Sequence, residues 1–137
     1  MFKYENYFLD GVTSTYSGTL TSTSPLFIHS TSSSSVIQSY YNAIQLRSLQ
    51  DGTYTFKSQS QIDLYGYLYK KSFVSTSVNL NLLISDDDSG RNNQFYFQYF
   101  LSSYLNYVLV VTASNNNTVG SYSVYVNGPS TVIFNPI

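Results

Sequence analysis

The residues in this sequence best suited to chemistry form an acidic loop, Asp86-Asp87-Asp88-Ser89-Gly90. Asp86 and Asp88, with Asn92 or Asn93 beyond them, place side-chain oxygen atoms at alternating positions, and Ca²⁺ prefers such hard oxygen ligands. The EF-hand pattern is not met, because the glycine comes one position early and no glutamate closes the loop. Two interpretations stay open: a calcium site, or a solvated turn whose aspartates cap backbone N–H groups.

His29 is the only histidine in the chain and so the only imidazole that could serve a Ser-His-Asp triad. No serine lies in the G-x-S-x-G turn that exposes a nucleophile in many hydrolases, and there is no cysteine to supply a thiolate. His29 ends an apolar stretch (25–29) beside a serine-rich segment (30–35), which predicts an exposed residue at a strand end. We therefore expect no enzyme activity and no cofactor other than the calcium considered above.

Glycans are a second kind of partner that the sequence suggests. Asn116 begins the sequence Asn116-Asn117-Thr118, an acceptor pattern for N-linked glycans in a segment that reads as an exposed turn. Tyrosines that are exposed can also stack on sugar rings. Most of the tyrosines alternate with polar residues, as core or cross-strand side chains do. The pattern favours a structural role for most of them, and a glycan at Asn116 is expected only in a eukaryotic source.

Charge is scarce in this chain: 9% of the residues are charged and the net charge is −1. Such a balance offers no electrostatic footprint for nucleic acid or an anionic membrane. The longest purely apolar run, near 108–111, is too short to span a bilayer. A surface of hydroxyls, amides and tyrosines favours a protein that associates with its own copies or carries glycans. We expect an extracellular or cell-surface protein with no membrane span.

The strand pattern predicts an all-β fold. The 137 residues, among them 15 Tyr and 9 Phe, are enough for one domain with its own core. After the turn signal Asp51-Gly52, Tyr54 and Phe56 alternate with polar residues, and 121–127 alternates in the same way. The apolar run 107–112 predicts a strand covered on both faces. Turn signals recur at intervals that predict a β-sandwich or jelly roll of about eight to ten antiparallel strands, plus an extra N-terminal strand.

The chain resembles the pre-peptidase C-terminal (PPC) family of β-sandwich domains, in the divergent form found in secreted proteins. The resemblance rests on several segments in order: 40–44 (YYNAI), 52–56 (GTYTF), 60–69 (SQIDLYGYLY), 86–90 (DDDSG), 94–95 (QF), 107–112 (YVLVVT) and 120–124 (GSYSV). It implies a non-catalytic, extracellular, jelly-roll-like module spanning 12–137. It also implies that calcium, where present, would lie between the acidic loop and an acidic residue such as Asp63.

An aromatic segment, 2–10 (FKYENYFLD), lies outside this resemblance, so residues 1–11 are treated as an N-terminal extension. Alternation places Phe2, Tyr4 and Phe8 on one side of a strand. Three outcomes stay open: the segment pairs with its own sheet, stays disordered, or completes the sheet of a neighbouring copy. Strand donation from copy to copy would build an open filament. The leading hypothesis is therefore a structural subunit that polymerises by strand exchange, and the alternative is a calcium- or carbohydrate-binding module.

Overall fold

The computed structural model describes residues 11–30 and 36–137. These residues form ten strands: β1 (Val12–Leu20), β2 (Leu26–Ser30), β3 (Val36–Ser48), β4 (Gly52–Ser60), β5 (Leu64–Lys70), β6 (Leu82–Asp86), β7 (Tyr96–Leu101), β8 (Tyr107–Ala113), β9 (Gly120–Gly128) and β10 (Val132–Pro136). Within the same ranges, no helix is long and apolar enough to cross a membrane. The extra strand predicted for 2–10 and most of the serine-rich loop fall outside the described residues.

The ten strands form two antiparallel sheets that pack face to face. One sheet has the order β1-β9-β4-β7; the other has the order β10-β3-β8-β5-β6, with β2 pairing on β3. From β3 onward the chain crosses repeatedly from one sheet to the other, as in a jelly roll. The predicted all-β sandwich is confirmed.

The main core lies between the inner faces of the two sheets, where alternating strand residues meet. On β9, Tyr122, Val124 and Val126 are at most 3% exposed, while the residues between them face outward. Tyr54 and Phe56 of β4 are fully buried on the same inner face. Burying each large apolar side chain stabilises the fold by roughly 1.5–3 kcal/mol, so this alternation determines which face of each strand turns inward.

A second apolar layer covers the outer face of the larger sheet. Every residue of β8 is buried, because Val108 and Val110 pack outward while Leu109 and Val111 fill the main core. The outer layer includes Tyr67 of β5 and is closed by residues from β2 and the 71–81 connection. Burial on both faces explains the continuous apolar run at 107–112 and confirms the predicted strand that is covered on both faces.

β2 closes the outer layer because β3 is long enough to carry two partners on one edge. The Tyr41 N–H donates to the Pro25 carbonyl at 2.9 Å, beside β2. The Ala43 carbonyl accepts from the Ile137 N–H at 3.0 Å, beside β10. Residues two apart in a strand direct their backbone groups to the same edge. β2 and β10 therefore lie one after the other along the same edge of β3. The buried face of β2 packs on the outer layer through Phe27.

Candidate functional site: an acidic cluster beside the β6–β7 loop

Three carboxylates converge where two loops meet at one end of the sandwich. Asp63 precedes β5, and Asp87 and Asp88 follow β6. Each offers one oxygen atom, and these three atoms all lie within 4.8 Å of one another. β5 and β6 are paired, with Gly66 opposite Asp86. That pairing brings the residues before β5 next to the residues after β6.

Ser114, the residue after β8, ties two members of the cluster together. Its hydroxyl donates to Asp87 Oδ1 at 2.6 Å, and its backbone N–H donates to the Asp63 carbonyl at 2.9 Å. Asp63 Oδ1 is buried and has no hydrogen-bond partner. A buried carboxylate oxygen without a donor is costly, and a cation or a shared proton would compensate it.

Two carboxylates of the cluster, those of Asp63 and Asp88, keep their protons to a higher pH than an ordinary aspartate does. Burial, followed by the charge of Asp87, raises the pKa of Asp63 above its usual value. Partial desolvation together with the neighbouring carboxylates raises the pKa of Asp88 to about 6. Like charges at this distance disfavour each other's ionised form. The arrangement can therefore share protons or attract a divalent cation.

Asp86, the first residue of the predicted calcium ligand set, has a different role in the structure. Its carboxylate accepts hydrogen bonds from the Ser89 N–H at 3.0 Å, the Ser89 hydroxyl at 2.6 Å and the Tyr96 N–H at 2.9 Å. These bonds are those of a carboxylate that caps a turn. Asp63 and Asp88 lie close together, as predicted. Asp87 lies with them, although the alternating pattern predicts that it would point away from the ligands.

The loop between β6 and β7 is held in shape by a buried glutamine. Gln94 is 6% exposed, and its Nε2 donates to the Ile62 carbonyl at 2.9 Å and to the Asn93 carbonyl at 3.0 Å. Its Oε1 accepts from the Ser58 hydroxyl at 2.8 Å. Asn93, like its neighbour Asn92, has a positive φ, which asparagine tolerates better than most residues. The loop is therefore anchored on β4 by side-chain and backbone bonds.

His29 is buried, so the prediction of an exposed histidine at a strand end is wrong. It is 3% exposed, its ring stacks on Phe27 at 4.8 Å, and its Nδ1 lies 2.9 Å from Tyr67 Oη. Its Nε2 is buried without a hydrogen-bond partner, and burial lowers the pKa of His29 below its ordinary value. The error arose because alternation in β2 put Phe27 and His29 on the same side, but the sequence does not reveal the outer layer that this side covers.

Asn116 lies in the exposed turn between β8 and β9, as the sequence predicts. Its side-chain oxygen accepts from the Gln38 N–H at 2.8 Å. Its carbonyl accepts from the Thr118 hydroxyl at 3.4 Å. The asparagine thus fastens the turn to β3 through its oxygen, while its amide nitrogen is the atom that a glycan would occupy.

Comparison of the chain with protein-family models and with curated proteins found no match. The resemblance to PPC domains therefore stays a prediction based on the ordered segments quoted above.

Proposed function

We propose that this chain is a non-catalytic structural subunit of an extracellular filament or surface assembly. In the proposed assembly, residues 2–10 of one copy add a strand to the edge of β1 opposite β9 in the next copy. Main-chain hydrogen bonds supply affinity, and Phe2, Tyr4 and Phe8 fill pockets on the acceptor. Each copy donates at one place and accepts at another, so the contact does not close and the subunits form an open filament.

The edge of β1 opposite β9, which pairs with no other strand among the described residues, is the observation that carries this proposal. Within residues 11–30 and 36–137, β1 pairs with β9 from Val12↔Gly128 to Leu20↔Gly120 and with no other strand. β1 is nine residues long, the length of the segment 2–10. An unpaired edge presents N–H and C=O groups to any strand that can reach it.

The N-terminal segment can reach this edge in two ways: by pairing with β1 of its own copy or with β1 of another copy. Asp10-Gly11 is a two-residue hairpin signal, and Gly11 has a positive φ of 104°, which suits such a turn. A hairpin through this turn would lay residues 2–9 against β1 of their own copy. Exchange of that strand between copies makes the same hydrogen bonds, as in domain swapping.

The direction of the backbone groups on β1 identifies the residues that a donor strand would meet. The Thr19 carbonyl accepts a hydrogen bond from Asn42 Nδ2 at 3.3 Å. Ser121, which lies opposite Thr19 on β9, has its carbonyl bonded to the Ser60 hydroxyl of β4. Thr19 therefore directs its backbone away from β9. Because alternate residues share an edge, Thr13, Thr15 and Ser17 face outward as well.

The surface of the described residues supports association between copies. Exposed large apolar side chains include Ile28 (58%) and Val36 (67%) on one face of the β2–β3 pair, and Phe100 (57%) and Tyr104 (89%) elsewhere. With few charges to repel a neighbour, such a surface favours lateral packing of filaments.

The test is a pair of proline substitutions on the full chain. Thr15→Pro removes one outward N–H from β1 and leaves the bonds between β1 and β9 intact, since proline is tolerated where an edge strand faces solvent. Gln98→Pro is the matched control on β7, the other edge of that sheet; Tyr96, two residues before it, donates its N–H away from β4 to Asp86. We expect electron microscopy and size-exclusion chromatography to show filaments for the wild type and Gln98→Pro, and a folded monomer for Thr15→Pro.

Deletion of residues 2–10 should give the same folded monomer. Filaments that persist in Thr15→Pro or in the deletion variant would contradict strand addition at β1. Loss of filaments in Gln98→Pro alone would move the acceptor to β7. A wild-type chain that stays monomeric at high concentration would remove the proposal altogether.

A calcium-binding module is the second candidate, favoured by the buried, unpartnered Oδ1 of Asp63 inside the acidic cluster. Ca²⁺ takes roughly six to eight oxygen ligands, many of them carboxylates, carbonyls and waters. We propose that Asp63, Asp87 and Asp88 would hold the ion and that Asp86 shapes the loop. Calcium should then raise the melting temperature of the wild type but not of Asp88→Asn. A melting temperature that is the same in calcium and in chelator would leave the cluster as a capped turn.

A further inference from the structure

The outer face of the smaller sheet carries a groove that neither the strand edge nor the acidic cluster uses. Its volume is about 1030 Å³, and its floor is formed by β4 and β9 with side chains such as Gln59, Tyr125 and Asn127. The 89–96 segment forms one wall, with Arg91 and Tyr96 beside the groove. We name this feature the sheet groove.

Among the described residues, those that line the sheet groove include two cations, Lys57 and Arg91, and no carboxylate. The Asp86 carboxylate bonds to Ser89 and Tyr96 in its wall. Both cationic side chains are exposed. The Lys57 ammonium lies 6.0 Å from the centre of the Tyr125 ring, which holds it above the floor through a cation–π contact. In a chain with net charge −1, this grouping of two cations favours an anionic ligand.

The rest of the face is built from hydroxyls and amides on successive strands. Thr13 pairs with Asn127 through a 2.8 Å hydrogen bond, and Ser17 pairs with Ser123 at 2.9 Å. Each hydroxyl keeps further donor or acceptor capacity for a ligand. A second groove of about 910 Å³ continues along β1 and β9 and shares Gln59, Ser60 and Tyr125 with the first. An extended, polar strip of this kind fits a chain of sugars better than a compact small molecule.

The wall of the sheet groove is preorganised. Gln94 anchors the loop on β4 through the hydrogen bonds described above, and Gly90 donates its N–H to the Gln94 carbonyl at 2.8 Å. A Cβ on Gly90 would come within 2.7 Å of that same carbonyl oxygen, so only glycine allows this close turn. Arg91 therefore stands on a fixed backbone next to the groove, which lowers the entropy cost of binding.

We infer that the sheet groove binds an acidic polysaccharide whose sugars carry carboxylate groups, such as uronic acids. Lys57 and Arg91 pair with the carboxylate, Tyr96 and Tyr125 offer ring faces or edges to the sugars, and the hydroxyl and amide groups bind sugar hydroxyls. Arginine suits this role because its planar group can form two parallel bonds to one carboxylate. This site is independent of strand exchange and would let each copy attach to an acidic extracellular polymer.

Affinity electrophoresis and calorimetry on the full chain, with polygalacturonate as the probe and neutral dextran as the comparison, test this inference. We expect retardation by polygalacturonate only. The double variant Lys57→Gln/Arg91→Gln should bind at least about tenfold more weakly, the loss of roughly one charge-assisted hydrogen bond. Its matched control, Lys70→Gln/Lys71→Gln, removes the same charge at the end of β5 and should bind as the wild type does.

A third variant, Tyr96→Ala, separates sugar contacts from charge alone, and it should also lose affinity for polygalacturonate. Unchanged melting temperatures would show that all variants are folded. Equal losses in the two lysine-containing double variants would mean non-specific charge attraction and would overturn the site. So would equal binding to dextran, absence of binding to polygalacturonate, or a concentration-dependent dimer that forms through this face and excludes the polymer.

Discussion

The ring of Phe95 lies directly against the backbone of Gly66, so that a Cβ on this glycine would come within 2.8 Å of two ring carbons. Both residues are fully buried, one on β5 and the other just before β7. The two sheets meet at this contact, next to the loop that carries the acidic cluster. A glycine inside a strand often marks such a close approach.

Gly66→Ala should therefore destabilise the protein by about 1–3 kcal/mol, because an aromatic ring in a filled core cannot move away without disturbing its neighbours. Urea denaturation monitored by circular dichroism measures this change in the free energy of unfolding. The double variant Gly66→Ala/Phe95→Leu should show positive coupling, since the smaller side chain makes room for the methyl group. Additive losses in the double variant would contradict a direct steric contact.

Gln94→Met should loosen the β6–β7 loop while keeping the volume of the side chain. It leaves the Ile62 carbonyl and the Ser58 hydroxyl without their buried partner, so we expect a loss of at least about 2 kcal/mol in the free energy of unfolding. Amide hydrogen exchange should also become faster over 89–93. Gln98→Met, on the exposed face of β7, is the control and should change stability by less than about 0.5 kcal/mol. Equal effects of the two substitutions would mean that Gln94 does not anchor the loop.

The acidic cluster predicts a pH dependence of stability in chelator. The pKa of Asp88 is raised from 3.8 to about 6 on folding. The stability contributed by its protonated form is fully present below pH 3.8 and is lost as the pH rises through about 6. Asp88→Asn should therefore melt above the wild type at pH 7 in chelator, and this difference should shrink toward zero below pH 3.8.

Asp51→Asn, at an exposed aspartate outside the cluster, serves as the control for the change of net charge. A difference between Asp88→Asn and wild type that is the same at every pH would contradict the raised pKa. In the presence of calcium the order should reverse above pH 6 if the cluster binds the ion, because the metal stabilises the ionised carboxylates.

His29 predicts a pH dependence of the opposite sign. Its pKa is lowered on folding from 6.5 by burial. Above pH 6.5 the imidazole is neutral in both the folded and the unfolded chain, so burial of His29 does not make stability depend on pH there. Below pH 6.5 the unfolded chain binds the proton more readily than the folded chain, so the free energy of unfolding falls. His29→Phe should lose this acid-dependent decrease. Nuclear magnetic resonance of the imidazole protons should show a pKa below 6.5 in the folded wild type; a value at or above 6.5 would contradict its burial.

Much of the sandwich could be predicted from local patterns. The alternation of Tyr122, Val124 and Val126 assigns the inner face of β9, and the unbroken apolar run of β8 predicts a strand buried on both faces. These predictions succeed because side chains alternate across a strand, and burial of apolar area then selects the face.

What the sequence could not determine is which distant residues meet. The pattern marked the acidic loop as a source of oxygen ligands, and the family resemblance implied Asp63 beside it. Only the tertiary structure, through the pairing of β5 with β6, adds Asp87 to Asp63 and Asp88 and leaves Asp86 to cap the turn. Likewise, only the tertiary structure places His29 under the outer layer and groups Lys57 with Arg91 beside one groove. Alternation is a local property of the chain, whereas the neighbours of a side chain across a sandwich depend on strand order and register, and these are determined by the packing of the whole fold.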